Sequence, residues 1–313
     1  MSILITARRW DITPWVERFR RLGPDRVVHD GREPFDPAAI RYAAVWRPEP
    51  GLLASLPNLK AIFNLGAGVD ALLQDKTLPD VPIIRIINPD LTQRMSEWVI
   101  LQVLYHFRQL PAHRAAQMAR HWLSIDQPAA SSVRVGIMGM GVLGQDAAEM
   151  LIRLGFQVAG WSRTPKAMTG LRSFSGAAEL PAFLAQTDIL VVLLPLTPET
   201  DGILNRDLFA QLARGGALGA PVLINAGRGG LQREADILVA LDDGTLGGAS
   251  LDVFEVEPLP EESPLWAHPK VVVTPHCAAD STPDGLVAGI LADIAAFERG
   301  EKLVNLVDRR AGY

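Results

Sequence analysis

The sequence holds a single cysteine, Cys277, in 313 residues. No intrachain disulfide can form, so packing and hydrogen bonds must hold the fold, as in proteins of a reducing cytosol. Nowhere does an uninterrupted run of about 18 apolar residues occur, the length that a membrane-spanning helix needs. The opening MSILITARRW has a short apolar stretch followed by two arginines. A secretory signal has the reverse order and a longer apolar segment, so Ile3–Thr6 is expected to form a first strand. Excess positive charge is missing too: 30 Lys and Arg stand against 35 Asp and Glu, a formal charge of −5. That balance gives no global field for nucleic acid. Repeats and low-complexity tails are also lacking. The expectation is a globular, cytoplasmic chain with no nucleic-acid or membrane partner and no metal site.

What is present is a core-forming composition, 48% hydrophobic and 21% charged, over a length that suggests about two domains. The most informative stretch is RVGIMGMGVLG at 134–144, where Gly139, Gly141 and Gly144 are spaced G-x-G-x-x-G. An apolar run precedes them and an amphipathic pattern over 142–154, opening with Val142 and Leu143, follows. In that context Gly139 allows a tight strand-to-helix turn. Gly141 lets the backbone approach a pyrophosphate, and Gly144 lets the helix pack closely on the sheet.

Short apolar runs alternate with helical patterns along the chain, which predicts parallel sheets wound with helices. The first third offers strands at Ile3–Thr6, Ala43–Trp46, Ala61–Asn64 and Pro82–Ile86. A long helix is expected from about Thr92 to Arg120, with Thr92 or Ser96 as caps, then a turn-rich linker at 124–132. Six further strands follow at about 133–138, 156–161, 189–194, 222–225, 247–251 and 271–274. The fold class expected is α/β: two doubly wound parallel-sheet domains, Rossmann- or flavodoxin-like, with a cleft between them. Residues 1–97 plus 283–313 make a discontinuous substrate domain, and residues 98–282 make the dinucleotide domain.

In NAD-binding versions of this fold an acidic residue at the end of the second strand binds the ribose 2′-hydroxyl. Here that strand ends in Ser162, Arg163 and Thr164, with Lys166 just beyond. An arginine suits a 2′-phosphate, because its planar fork takes two oxygens at once. The cofactor expected is therefore NADP(H) in preference to NAD(H); a merely solvated basic turn is the alternative.

Three chemistry-bearing residues follow the ends of different strands: Arg228, Glu257 and His276. In a doubly wound sheet these are positions on the ligand-binding edge. Arg228 suits binding of a carboxylate and polarisation of a neighbouring carbonyl. His276 suits proton donation near neutrality. Glu257 suits orienting the imidazole and favouring its protonated form. Trp46, at a strand end in the first third, is a candidate size filter or a packing residue, with Arg47 beside it.

With NLGAGVD at 64–70, LLPLTPET at 193–200, INAGRGG at 224–230, LDVFEVEPLP at 251–260 and TPHCAA at 274–279, the chain resembles the D-isomer-specific 2-hydroxyacid dehydrogenases over nearly its whole length. WSRT at 161–164, SPLWAHP at 263–269 and VDRRAGY at 307–313 are most similar to the glyoxylate/hydroxypyruvate reductase A branch. The resemblance implies that Arg228, Glu257 and His276 are catalytic and that the chain forms a homodimer. It implies that Leu65, Gly66, Ala67, Gly68 and Val69 bind the substrate carboxylate through backbone N–H groups, alongside Trp46, Arg228 and His276. It also implies that Asp252 contacts the nicotinamide amide and that Leu194, Pro195 and Ala226 help hold the dinucleotide. The activity implied is NADPH-dependent reduction of small 2-keto acids, glyoxylate to glycolate and hydroxypyruvate to D-glycerate. Reduction of larger keto acids, formate or phosphite oxidation, and dinucleotide sensing without turnover are the alternatives on the same frame. Cys277 departs from the wider family pattern and is expected to be a buried, inert thiol.

Overall fold

A computed structural model describes residues 1–8 and 10–312, in two compact units: Met1–Leu91 with Asp280–Tyr313, and Thr92–Ala279. The first unit carries strands β1 (Ser2–Ala7), β2 (Val27–Asp30), β3 (Ile40–Trp46), β4 (Ala61–Asn64) and β5 (Ile83–Arg85). They form a parallel sheet in the order β2-β1-β3-β4-β5. Alternation along β1 divides its side chains between two layers. Ile3 and Ile5 pack with Trp15, Val16 and Phe19 of helix α1 (Thr13–Leu22), together with Leu286, Val287, Ile290 and Ile294. Leu4 packs on the other face with Ala43, Val45, Ile62 and Leu53. Burying each such aliphatic side chain contributes about 1.5–3 kcal/mol. A short helix α2 (Asp70–Leu73) follows the loop after β4.

Helix α3 (Pro89–Phe107) runs from the first unit into the second. The long helix expected to reach Arg120 is broken: Gln109 sits in the left-handed region at φ +53, and a separate helix α4 (Leu110–Met118) starts after it. Ser96 does not cap; its hydroxyl donates to Asp146.

The second unit holds β6 (Arg134–Met138), helix α5 (Val142–Arg153), β7 (Gln157–Ser162), β8 (Leu171–Ser175) and helix α6 (Gly176–Leu184). Then come β9 (Ile189–Val192), α7 (Arg206–Ala210), β10 (Val222–Asn225), α8 (Glu234–Asp242), β11 (Gly248–Leu251) and β12 (Val271–Val273). Helix α9 (Pro283–Glu298) returns to the first unit, where its apolar side supplies the residues named above. The second sheet is parallel in the order β12-β11-β10-β9-β6-β7-β8. The winding reverses between β6 and β9, the kind of switch point at which doubly wound sheets bind ligands. Both faces are covered: Leu190, Val192, Leu223 and Leu251 face one core, while Val135, Ile137, Ile189 and Ile224 face the other.

Two strands, β2 and β8, lie at sheet edges and were not among the expected elements. Each is short and only partly apolar, VVHD and LRSFS, so neither gives a continuous hydrophobic run.

One polar chain runs through the second core. His106 Nε2 donates to Ser250 Oγ at 2.9 Å, and Ser250 Oγ donates to Gln102 Oε1 at 2.8 Å. Burial pushes the His106 imidazole down to about 4. A neutral histidine in the folded state that charges in the unfolded one lets stability be present above the unfolded value and be lost on acidification. Between pH 6.5 and about 4 that loss amounts to about 3 kcal/mol. Urea unfolding across this window should therefore show a steeper acid loss in the wild type than in His106→Gln. Parallel profiles for the two proteins would contradict the assignment.

Candidate active site

The glycine fingerprint performs three separate tasks at the switch point. Gly139 turns the chain at φ +104, and a Cβ there would lie 2.6 Å from the Leu193 carbonyl carbon and oxygen, so the end of β6 presses on the segment after β9. Its N–H donates to Trp161 O at 2.9 Å. At Gly144 a Cβ would meet Gly139 O at 2.0 Å, so only glycine lets α5 start this close to the turn. Gly141, by contrast, faces open space, with nothing within 4 Å of its missing Cβ. It caps α5 without a side-chain acceptor, so the first N–H groups of the helix, from Val142 and Leu143 onward, can receive an anionic group. That cradle fits a dinucleotide pyrophosphate. Leu194 and Ala226 are buried beside it, and the Pro195 carbonyl accepts from Thr200 Oγ1 at 2.7 Å.

At the end of β7, Ser162 Oγ donates to Thr164 O at 2.8 Å and curls the chain so that Arg163 stands exposed. The Lys166 N–H is tied to Ser173 Oγ at 2.9 Å. No carboxylate occupies the end of this strand. Arg163 brings positive charge suited to a 2′-phosphate, and the exposed Glu199 carboxylate lies within its electrostatic reach.

His276 and Glu257 come together as a pair. The His276 Nδ1 lies 3.0 and 2.9 Å from the two Glu257 carboxylate oxygens, and one of these also accepts the Phe254 N–H at 3.2 Å. With Nδ1 engaged, Nε2 is the atom left for proton transfer. The imidazole is held by its backbone as well. His276 sits at φ +54, in the left-handed region that is costly for a residue with a side chain.

Asp252 supports that turn. Its Oδ1 accepts from Thr274 Oγ1 at 2.5 Å and from the Cys277 N–H at 3.0 Å, and Oδ2 accepts from the Ala278 N–H at 3.0 Å. The Asp252 carbonyl takes the His276 N–H at 2.8 Å. Burial pushes the Asp252 carboxyl up, partly offset by the Thr274 hydroxyl and the two N–H donors. Cys277 corrects the sequence reading: the residue is exposed, not buried, while its backbone N–H is tied to Asp252. Side-chain direction within an irregular turn follows no period that a sequence can display.

Arg228 follows β10 and is half-buried, with Nη1 donating to Gly227 O at 2.7 Å. Asn225, at the end of the strand, braces the turn: its Oδ1 accepts the Gly227 N–H at 3.0 Å and its Nδ2 donates to Arg228 O at 3.3 Å.

In the first unit, the loop Leu65–Val69 follows β4. The buried Asn64 amide donates to Gly66 O at 2.6 Å and to Gly68 O at 3.1 Å. Leu65 is not a donor to ligand as expected from the sequence: it is fully buried, and its N–H donates to Val45 O at 2.8 Å, continuing the β3–β4 ladder. The candidate carboxylate donors are therefore the N–H groups from Gly66 to Val69. The Trp46 ring occupies the place of a Gly66 Cβ, 2.1 Å from it at the nearest atom. Trp46 also stacks on Trp10 at 5.2 Å, with the Arg47 guanidinium 5.5 Å from the ring centre. Trp46 thus packs against this loop. Asn64, Asn225 and Thr274 were not singled out in the sequence, although each stands inside or beside a motif that was.

A family model described as the NAD-binding domain of D-isomer-specific 2-hydroxyacid dehydrogenases matches residues 100–278. A curated glyoxylate/hydroxypyruvate reductase A from Serratia proteamaculans (strain 568) is 42% identical over 319 residues, covering 100% of both chains. The crystal structure of an NADPH-dependent glyoxylate/hydroxypyruvate reductase from Sinorhizobium meliloti, in complex with NADP and sulfate, superposes with a TM-score of 0.96. It is 49% identical, covering 100% of this chain and 99% of that one. A probable 2-hydroxyacid dehydrogenase from Rhizobium etli CFN 42, in complex with NADP, HEPES and L(+)-tartaric acid, gives a TM-score of 0.94 at 47% identity, with coverage of 100% and 99%.

Proposed function

Because the chain belongs to the D-isomer-specific 2-hydroxyacid dehydrogenase family, we propose that it reduces small 2-keto acids with NADPH, glyoxylate to glycolate and hydroxypyruvate to D-glycerate. The observation that carries this reading is the His276–Glu257 pair at 2.9 Å, on the carboxyl edge of a sheet that also bears the glycine fingerprint. Arg228 binds the substrate carboxylate and draws electron density from the adjacent carbonyl. The loop from Gly66 to Val69 offers N–H donors of the kind that bind a carboxylate. Bound NADPH supplies the hydride to the carbonyl carbon. His276 delivers a proton from Nε2 to the carbonyl oxygen, and Glu257 stabilises the imidazolium that makes this possible. The products are the 2-hydroxy acid and NADP+. Gly139, Gly141 and Gly144 hold the pyrophosphate, while Ser162, Arg163, Thr164 and Lys166 receive the 2′-phosphate. Asp252 contacts the nicotinamide amide, and Leu194, Pro195 and Ala226 line the dinucleotide cleft. A cytoplasmic location goes with a chain whose one thiol cannot form an intrachain disulfide.

The reading includes a homodimer, and α4 supports it. Among its residues none is buried, and Met118 at its end and Trp122 in the segment after it are 80% and 98% exposed. From Trp98 to Ile125 the chain carries Arg108, Arg114 and Arg120 and no carboxylate, in a protein of net charge −5. An apolar, basic arm on an otherwise acidic chain complements a second copy of that chain.

NADPH and NADH oxidation with glyoxylate, hydroxypyruvate, pyruvate and phenylpyruvate tests the activity. Turnover should be fastest with NADPH and the two small substrates, and a preference for phenylpyruvate would overturn the substrate class. Arg163→Asp should reduce the NADPH-over-NADH preference by about tenfold or more, the worth of one charge-assisted phosphate contact; an unchanged ratio would remove Arg163 from the cofactor site. Light scattering on Trp122→Asp should give monomer where the wild type gives dimer. An intact dimer in the variant would place the interface elsewhere.

A further inference from the structure

The turn bearing Arg228 and the turn bearing Glu257 are built against each other, and one buried amide joins them. Gln232 lies just beyond the Arg228 turn and is 0% exposed. Its Oε1 accepts from Asn225 Nδ2 at 2.8 Å, and its Nε2 donates to Val253 O at 2.9 Å. Asn225 in turn holds Gly227 N and Arg228 O, while Val253 leads into the segment whose Phe254 N–H donates to Glu257. A continuous run of hydrogen bonds thus passes from the Arg228 backbone through two buried amides to the Glu257 turn. Two further contacts keep the turns in register. A Cβ on Gly229 would meet Phe254 O at 1.7 Å, so the backbones touch, and the Glu255 N–H donates to Glu234 Oε1 at 2.8 Å.

The geometry points to Gln232 as a positioning residue for the reaction: its amide fixes the Arg228 turn relative to the Glu257–His276 pair. This rests on the catalytic reading of those three residues given above. A glutamine in a loop ordinarily gains little from burial, since taking an amide out of water costs free energy unless both ends are bonded. Here both ends are bonded, each to a different functional turn. The consequence is that substrate carboxylate and proton donor are held at one separation, which a keto acid must span between its carboxylate and its carbonyl oxygen.

Gln232→Leu keeps the volume and removes both bonds, along with a further contact of the Gln232 side chain with the Glu234 carboxylate. Burial pushes the Glu234 carboxyl up, and its charge disfavours an ionised Glu at 232. The kcat/KM of Gln232→Leu for glyoxylate should fall by about tenfold to a hundredfold, with kcat reduced and NADPH affinity by fluorescence within about twofold of wild type. Gln232→Glu supplies a readout that a purely structural role would not move. Ionised, it can accept from Asn225 but cannot donate to Val253 O; protonated, it can do both. Its kcat/KM relative to wild type at the same pH should therefore recover as pH falls from about 8 to about 6, where a buried carboxyl protonates. If Gln232→Leu does not fold, the Gln232→Glu ratio decides alone. A flat ratio across the pH range, or wild-type kinetics in a folded Gln232→Leu, overturns the inference. His276→Asn serves as the parallel control. If it retains wild-type turnover, the catalytic reading itself has failed, whereas its loss beside unaffected Gln232 variants removes only Gln232.

Discussion

The site depends on one buried carboxylate. Asp252 is 2% exposed at the end of β11 and accepts three hydrogen bonds from the chain that follows β12. An ionised carboxylate in such a place costs several kcal/mol unless donors surround it. The donors are a threonine hydroxyl and two backbone N–H groups, and to present both N–H groups the chain must turn sharply at His276. That requirement accounts for the left-handed backbone at His276, a conformation that costs about 1–3 kcal/mol and persists only where the surroundings impose it. The outcome is an imidazole whose position is set twice, by its backbone through Asp252 and by its ring through Glu257.

The same device recurs elsewhere in other chemistry. Asn64 draws two carbonyls of the Leu65–Val69 loop inward and so fixes the conformation of the loop. Asn225 engages both a donor and an acceptor of the Arg228 turn. In each case a strand ends, and a buried polar side chain at or beside the last strand residue dictates the conformation of the loop after it. Parallel strands deliver such positions to one edge of a sheet, so the rigid core fixes the loops that carry the chemistry.

The motifs whose spacing has a mechanical meaning were legible in the sequence. Gly139, Gly141 and Gly144 announce a turn, an open approach and a close contact, and the structure gives each of them that environment. Strand ends marked Arg228, Glu257 and His276, because apolar runs of four or five residues bounded the strands clearly. Less legible were β2 and β8, whose half-polar composition reflects their places at sheet edges. The break at Gln109 did leave a sign in Pro111, which sits in the first turn of α4, where a helix tolerates it and an interior does not. Gln109 itself, at φ +53, looks like any helical glutamine. Asn64, Gln232 and Thr274 escaped for a related reason. A polar residue in a loop reads as solvated, and only the fold shows that its partners are backbone groups of a functional turn.

The most direct measurement is single-turnover oxidation of enzyme-bound NADPH on mixing with glyoxylate, compared between wild type and His276→Asn. If His276 is the proton donor, the variant should bind NADPH with unchanged affinity while hydride transfer slows by about a hundredfold to ten-thousandfold, the usual contribution of a positioned general acid. Hydride transfer at the wild-type rate would mean that the proton comes from elsewhere, and that the turn built around Asp252 serves the fold alone.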